Sequence, residues 1–459
     1  MKIVVVGAGK VGFDLSKVLS EEGHDVIVID KEPAALKPVV ETLDVMTVAG
    51  NGASAVVLEE IGIKTVDIII AVTENDELNM IACMTAKQCG VPMTVARVRN
   101  PEYTSPHPYL LSYARFGLDL IINPEHLAAQ EIFRLVEFPM ATDMEYFADG
   151  RLSMVGVKLE ETMGICGKYI RELGLANLTI VAISREGRII IPNGNTRLLP
   201  KDKVFLVGAT AGFHSLNGLI RVENPKFRRI IIAGGGLITR YLVGMLRSRK
   251  KRSEIKVMEV SEEKSKNLAR DLEGCQLVFG DATKIEVFEE ENLGPGDIFI
   301  ALTGADNSNL VASMLAHKRG VEEIICQISR EDYLPLAEMS GVTAAITPRL
   351  LTVSTVLKLV RTSNVLSISL LSSGEAEFIE LKAEPDSAVT KKRLRDLEMP
   401  PKTIVGAVIQ NQRVIVPRGD TQIHPGDRAL VFSLRSTASE VEKLFRAEKP
   451  VRTGETDAF

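Results

Sequence analysis

At 459 residues the chain exceeds what one hydrophobic core usually organises, so several domains are expected. With 45% hydrophobic residues, 25% charged residues and no Trp, the composition is that of a globular protein in water. The net charge of −5 excludes the basic balance of a nucleic-acid binder, and the basic run "RSRKKR" (247–252) reads as a solvated loop.

The five cysteines form no C-x-x-C pair, so neither a zinc site nor a disulfide framework is suggested, and each is read as a small apolar core residue in a reducing compartment. No H-E-x-x-H, G-x-S-x-G or phosphate-binding lysine loop occurs. The longest stretch without charge, 204–220, is broken by glycines and polar residues, so no membrane span is expected. The apolar run at the N-terminus leads straight into a glycine turn, unlike a signal peptide, and a cytoplasmic protein is expected.

In chain order, "KIVVVG", "DVIVID", "MTVAG", "VDIIIAVT", "MTVARV" and "DLIIN" are short β-branched runs without polar alternation. A parallel sheet covered on both faces requires such strands. Helical patterns lie between them. In "VGFDLSKVLSEEG", Val11, Leu15, Val18 and Leu19 share one face, and Gly23 stops the helix. Alternating strand and helix predicts a doubly wound, Rossmann-type domain.

From about residue 141 the pattern changes. "IVAISREGRIIIPNGNTRLLPKDKVFLVG" predicts three strands, then a short helix carrying Leu216, Leu219 and Ile220, in a small α+β module. The chain then repeats. "VAGNGAS" (48–54), the long segment 66–91 and "ARVRNPEY" (96–103) each match a segment 230 residues later. Residues 179–207 match 404–432 at an offset of 225, with Val441, Leu444 and Phe445 on the second copy of the short helix. The expected domains are 1–140, 141–223, 224–364 and 365–450, joined near 138–150, 223–229 and 362–375 and followed by a loose tail, "EKPVRTGETDAF".

Chemistry concentrates at the carboxyl ends of the parallel strands. Gly7-Ala8-Gly9-Lys10-Val11-Gly12 is a G-x-G-x-x-G loop between a strand and a helix. Its glycines allow a tight turn, close approach of a pyrophosphate and close helix–strand packing. The helix N-terminus offers free N–H groups to phosphates. Asp30, at the end of the second strand, suits ribose hydroxyls and repels a 2′-phosphate, favouring NAD(H) or an adenosine nucleotide over NADP(H).

Gly50-Asn51-Gly52 closes the third strand; Thr73, Glu74, Asn75 and Asp76 close the fourth and cap the next helix. Arg97 and Arg99 end the fifth, as phosphate ligands or as surface ion pairs. The second copy keeps Gly234, Gly235 and Gly236, followed by Leu237 and Ile238, but Thr239 stands in place of the third glycine. Its hydroxyl is a candidate phosphate donor. Glu259 replaces Asp30, and Gln327 replaces Arg97.

"MKIVVVGAGKVG", "VIVID", "AGNGAS", "IAVTENDELNM" and "ARVR", followed by a small module and then repeated, resemble the regulator of K+ conductance (RCK, or KTN) domain family. The resemblance implies two Rossmann-type doubly wound parallel-sheet domains, each followed by a small α+β RCK C-terminal domain. It implies a cytosolic gating subunit, without enzymatic activity, on the inner face of the cell membrane. Such subunits form homo-oligomeric rings, dimers or tetramers, on a membrane-embedded, Trk-type K+-transporter subunit.

NAD(H), and ATP or ADP at the same sites, are the implied ligands; some relatives bind cyclic di-AMP between C-terminal modules. The residues carried over are Gly7 to Gly12, Asp30, Thr73, Glu74 and Arg97, and Gly234 to Thr239 with Glu259. The apolar helices at 124–138 and 348–360 need burial outside their own sheets and are expected to cross to a neighbouring module. An NAD-dependent oxidoreductase, or a scaffold for another transporter, are the rival readings.

Overall fold

The computed structural model describes residues 1–104, 116–137, 141–148, 150–175, 177–210, 213, 229–248, 253–272, 274–360, 364–371 and 375–447. The helix expected at Leu216, Leu219 and Ile220, the tail 448–459, most of the 223–229 joint and most of the run 247–252 lie outside the described residues.

The first module contains β1 (Lys2–Val6), α1 (Lys10–Glu21), β2 (Asp25–Asp30), α2 (Pro33–Thr42), β3 (Met46–Ala49), α3 (Ala55–Glu60), β4 (Ile68–Ala71), α4 (Asp76–Gln88), β5 (Met93–Arg97), α5 (Pro101–Thr104), β6 (Leu120–Ile122) and α6 (Pro124–Glu137). Its sheet is parallel, in the order β3-β2-β1-β4-β5-β6. Ile3, Val4 and Val5 are inaccessible to solvent, because consecutive side chains alternate between two covered faces. Strand order reverses between β1 and β4, opening a crevice beyond their carboxyl ends.

The next module is an antiparallel sheet of β7 (Ala141–Phe147), β8 (Leu152–Lys158), β9 (Leu178–Arg185), β10 (Arg188–Ile190) and β11 (Lys203–Ala209), in the order β10-β9-β11-β8-β7. The stretch 138–150, read as a joint, carries β7 over most of its length. The pairing shifts register between Ala141 and Asp143, and buried residues recur at Ala141, Met144 and Phe147 rather than at alternate positions. The sequence pattern of a strand is thereby disguised.

The second half repeats both modules. The parallel part comprises β12 (Arg229–Ala233), α7 (Leu237–Arg247), β13 (Glu254–Glu259), α8 (Glu262–Asp271), β14 (Gln276–Phe279), α9 (Ile285–Glu290), β15 (Asp297–Ala301), α10 (Asp306–Lys318), β16 (Glu323–Gln327), α11 (Leu334–Met339), β17 (Ala344–Ile346) and α12 (Pro348–Val360). Its sheet runs β14-β13-β12-β15-β16-β17. The antiparallel part comprises β18 (Val365–Leu370), β19 (Ala376–Lys382), α13 (Ala388–Lys391), β20 (Ile404–Gln410), β21 (Arg413–Ile415), β22 (Arg428–Leu434) and α14 (Ala438–Phe445), in the order β18-β19-β22-β20-β21. β18 occupies part of the expected joint at 362–375, with its own register shift between Val365 and Ser367.

Like modules pair. Met1–Pro139 with Lys226–Val360 forms one compact unit, and Met140–Pro225 with Arg361–Phe459 forms another. In the unit of parallel sheets, α6 lies against α7 and α12, and α12 lies against α1. Ile132, Leu135 and Val136 of α6 and Val353, Val356 and Leu357 of α12 are buried there. Each such side chain contributes roughly 1.5–3 kcal/mol. The two apolar helices thus find their cover in the other half of the same chain.

In the unit of antiparallel sheets, both modules share one apolar core, where Phe378 sits 6.2 Å from Phe205 and 5.1 Å from Phe432, centroid to centroid. The buried Glu380 accepts from the Ala148 amide at 3.1 Å and pairs with Arg428 at 3.3 Å. Among the described residues no helix is long and apolar enough to cross a membrane.

The α6–α7 contact contains a pH-sensitive pair. His126 packs edge-on against Tyr241 at 5.1 Å, and Tyr241 accepts a 3.0 Å hydrogen bond from Asn123. Burial lowers the His126 pKa below its ordinary 6.5. The unfolded chain therefore binds the proton first, so this contribution to stability is complete above about pH 6.5 and lost as pH falls below it. Between pH 7.5 and 5.5 the wild-type melting temperature is expected to fall more than that of His126→Phe, by a difference on the order of one degree.

Candidate functional site

After β1 the chain turns at Gly7, whose φ of +106° lies where L side chains are strained. The Gly7 amide donates to Ile29 O at 2.7 Å, fixing the turn to β2. Helix α1 follows with Gly9 as N-cap, no side-chain cap and no acid in its first turn. By contrast, Asn75 caps α4 by accepting from the Leu78 amide at 2.6 Å. The α1 N-terminus therefore keeps its partial positive charge and open N–H groups. Gly12 lies beneath the turn: a Cβ there would sit 1.8 Å from Gly7 O.

Asp30 clips this loop. Its Oδ2 accepts from the Ala8 amide at 2.6 Å and its Oδ1 from the Glu32 amide at 2.9 Å. An ionised carboxylate accepts about four hydrogen bonds, so acceptor sites remain for hydroxyl groups in the cleft.

The ends of β4 and β5 are locked together by Asn79, which is fully buried. Its Oδ1 accepts from Thr73 N (2.9 Å) and Thr73 Oγ1 (2.7 Å), while its Nδ2 donates to Thr73 O (3.0 Å) and Arg97 O (2.9 Å). Arg97 makes one long bond, from Nη1 to Thr73 O at 3.4 Å, and its buried Nε has no partner. It forms no ion pair among the described residues, whereas Arg99 pairs with Glu125 at 2.6 Å, so the ion-pair reading fails for Arg97 and holds for Arg99. Burial first, then the nearby Arg99 charge, lowers its pKa. Glu125, Asp76 and Glu74 act in the other direction without reaching an ion pair, so a buried guanidinium with an open donor stands beside an open helix N-terminus, which is a place for an anion.

Gly7, Gly9, Lys10, Val11, Asp30, Thr73, Glu74 and Arg97 line a cleft of about 920 Å³. Ala8 and Gly12 are buried beneath its floor. The second half has a corresponding cleft of about 640 Å³, lined by Gly234, Gly235, Gly236, Leu237, Ile238 and Glu259. Gly234 has φ +104°, and Gly236 is an uncapped N-cap. Glu259 accepts from the Gly235 and Ser261 amides, both at 3.0 Å, as Asp30 does from Ala8 and Glu32. Asn309 repeats the Asn79 clamp on Thr303 and on Gln327 O.

Thr239 is fully buried, and its hydroxyl donates to Gly234 O at 2.6 Å. This corrects the expectation that the hydroxyl serves a phosphate: it is spent on the loop's own carbonyl. The larger side chain turns a would-be clash into a hydrogen bond and leaves the cleft open. The second cleft has no guanidinium at the Arg97 position, where Gln327 stands; Arg99 and Arg240 line it elsewhere.

Each cleft is also walled by the opposite half. Ser329, Arg349 and Thr352 border the first cleft; Arg99 and Glu125 border the second. Arg99 was a candidate for its own half's site; the structure places it between the two. Arg349 was not a candidate, although "PRLL" (348–351) matches "PEHL" (124–127) at the start of the last helix of each half.

Among the described residues no group of three or more His, Cys, Asp or Glu is placed to hold a metal ion. Cys83 and Cys326 are buried, and burial pushes both thiols up to about 12; Cys89, Cys166 and Cys275 are only half-buried, less than the core placement expected of them.

The TrkA-N domain family matches residues 3–124 and 230–348, and the TrkA-C domain family matches 154–220 and 378–446. The Trk system potassium uptake protein TrkA homolog 1 of Methanosarcina mazei is 35% identical, covering 97% of this chain and 100% of its own. TrkA of Vibrio alginolyticus is 33% identical, covering 97% and 99%. Among solved structures, the GsuK channel bound to NAD superposes with a TM-score of 0.61 at 17% identity, covering 97% of this chain and 79% of that one. The GsuK RCK domain gives 0.60 at 17%, covering 96% and 94%. Two halves, two domain types in alternation and full-length similarity agree: the chain belongs to the TrkA family of Trk system potassium uptake proteins.

Proposed function

We propose that this protein is the nucleotide-binding regulatory subunit of a Trk-type potassium uptake system. It binds NAD(H), or ATP or ADP, in its glycine-loop clefts and controls a membrane K+-translocating subunit through the resulting change of shape. The observation that carries this reading is the buried Arg97, its Nε without a hydrogen-bond partner, in the same cleft as the open N-terminus of α1. The names of the relatives supply the potassium system.

Ligands move a conformational equilibrium only through differential affinity for its states. Both halves wall each cleft, so an occupant touches both and favours one arrangement of them. Asp30 and Glu259 select against a 2′-phosphate. Helices α10 and α11 expose Val311, Met314, Leu336 and Met339, the last 85% accessible, as an apolar face for a second copy in a ring.

Thermal melting and solution scattering of the full chain test the reading. A nucleotide at a hundredfold its Kd is expected to stabilise by about 2.7 kcal/mol, a shift of several degrees, and to change the scattering profile. Absence of both effects with ATP, ADP, NAD+ and NADH would exclude it. Substrate-dependent NADH consumption would favour the oxidoreductase instead.

A further inference from the structure

The two clefts share a wall. Glu125, Ile238 and Gln327 line both of them, and Glu125 is the charged residue of the three. The cations at the clefts line one each. Arg97 lines the first, with Lys10, Lys31 and Arg349; Arg99 lines the second, with Arg240 and Lys264.

Glu125 acts on one guanidinium of each cleft. β5 ends at Arg97, Arg99 follows two residues on, and α6 begins at Pro124 beside them. The Glu125 Oε1 accepts from Arg99 Nε at 2.6 Å, while its buried Oε2 has no hydrogen-bond partner. The same carboxylate acts on the Arg97 charge from farther off. The Arg99 side chain is 40% accessible and that of Glu125 only 12%, so Arg99 is the partner free to turn toward a ligand.

We propose that Glu125 couples the two clefts antagonistically. An anionic ligand in the second cleft draws Arg99 away from Glu125. The carboxylate, stripped of its partner, then repels an anion in the first cleft and competes with it for the Arg97 charge. Occupation of either cleft weakens binding at the other, by the same factor in both directions. The pair thereby responds to ligand over a wider range of concentration than two independent clefts would.

The inference rests on the clefts binding nucleotides, and calorimetry of full-length variants with ADP separates the two questions. Gly234→Ala closes the second loop, since its Cβ would meet Leu302 O at 2.3 Å, and leaves the first cleft; Gly12→Ala does the reverse. Each single-cleft variant yields one dissociation constant. For independent clefts, the product of the two wild-type constants equals the product of these. The wild-type product is expected to exceed it by about fivefold to hundredfold. The excess should vanish when all three chains also carry Glu125→Gln, whose amide oxygen still accepts from Arg99. One ADP per wild-type chain, rising to two in Glu125→Gln, would be the strong limit of the same coupling. Arg99→Gln should weaken ADP at the first cleft, which Arg99 does not line, and added Glu125→Gln should restore it. Equal products in the wild type, an excess that survives Glu125→Gln, a folded Gly12→Ala chain that binds no ADP, or a first cleft indifferent to Arg99→Gln overturns the coupling. A wild-type chain that binds none of ADP, ATP, NAD+ and NADH overturns the nucleotide reading itself.

Discussion

Replacing Gly12 with alanine is expected to empty the first cleft. The added Cβ would lie 1.8 Å from Gly7 O and 2.9 Å from Gly7 C, both backbone atoms of the turn that would contact the phosphates. No flexible side chain can move aside. Either α1 shifts outward or the turn opens, at a cost of about 1–3 kcal/mol or more. Both distort the N–H groups at the helix start. Nucleotide affinity at this cleft is expected to drop at least about a hundredfold, and calorimetric stoichiometry to fall by one per chain.

Thr239→Gly is the instructive contrast. It removes the hydrogen bond to Gly234 O, worth about 1 kcal/mol, and adds backbone freedom worth about as much again. The variant is expected to melt earlier and to gain no binding. Tighter nucleotide binding in Thr239→Gly would show that the side chain does obstruct the second cleft.

Arg97→Met is expected to act with opposite signs on stability and on binding. In the empty protein the Arg97 Nε is buried without a hydrogen-bond partner, and among the described residues no carboxylate forms an ion pair with it, although Glu125, Asp76 and Glu74 act on its charge from farther off. Methionine keeps much of the apolar stem and removes the orphaned donor, so the empty chain should gain about 1 kcal/mol. Nucleotide binding at the first cleft should fall by about tenfold to hundredfold, the worth of one or two charge-assisted hydrogen bonds. Melting curves with and without ligand measure both at once. A less stable empty chain with undiminished affinity would assign Arg97 a packing role instead.

What was legible in the sequence was local. The buried strand runs, the two glycine turns and the acids ending β2 and β13 each declare themselves within a few residues, because turn geometry and two-sided burial constrain consecutive positions. The need of α6 and α12 for outside cover was equally plain from their apolar surfaces. Strands β7 and β18 were hidden because their buried residues do not alternate and each has a register shift near its start.

The rest was hidden because it is made between the halves. Arg349 meets Asp14, more than three hundred residues away in the chain, and borders a cleft built on the other half's sheet. Neither half read alone indicates that its last helix begins at the rim of its neighbour's cleft. Thr239 shows a subtler limit. Residue type announced a changed loop, but only the direction of its hydroxyl decided whether the cleft was lost.

Potassium flux tests the regulatory role most directly. The K+-translocating membrane protein of the source organism would be reconstituted in liposomes, with and without this protein, and flux measured as ATP, ADP, NAD+ or NADH is added. Flux should depend on nucleotide only when the wild-type chain is present, and that dependence should be weakened by Gly12→Ala. Flux indifferent to nucleotide in the presence of bound wild-type protein would contradict gating by these clefts.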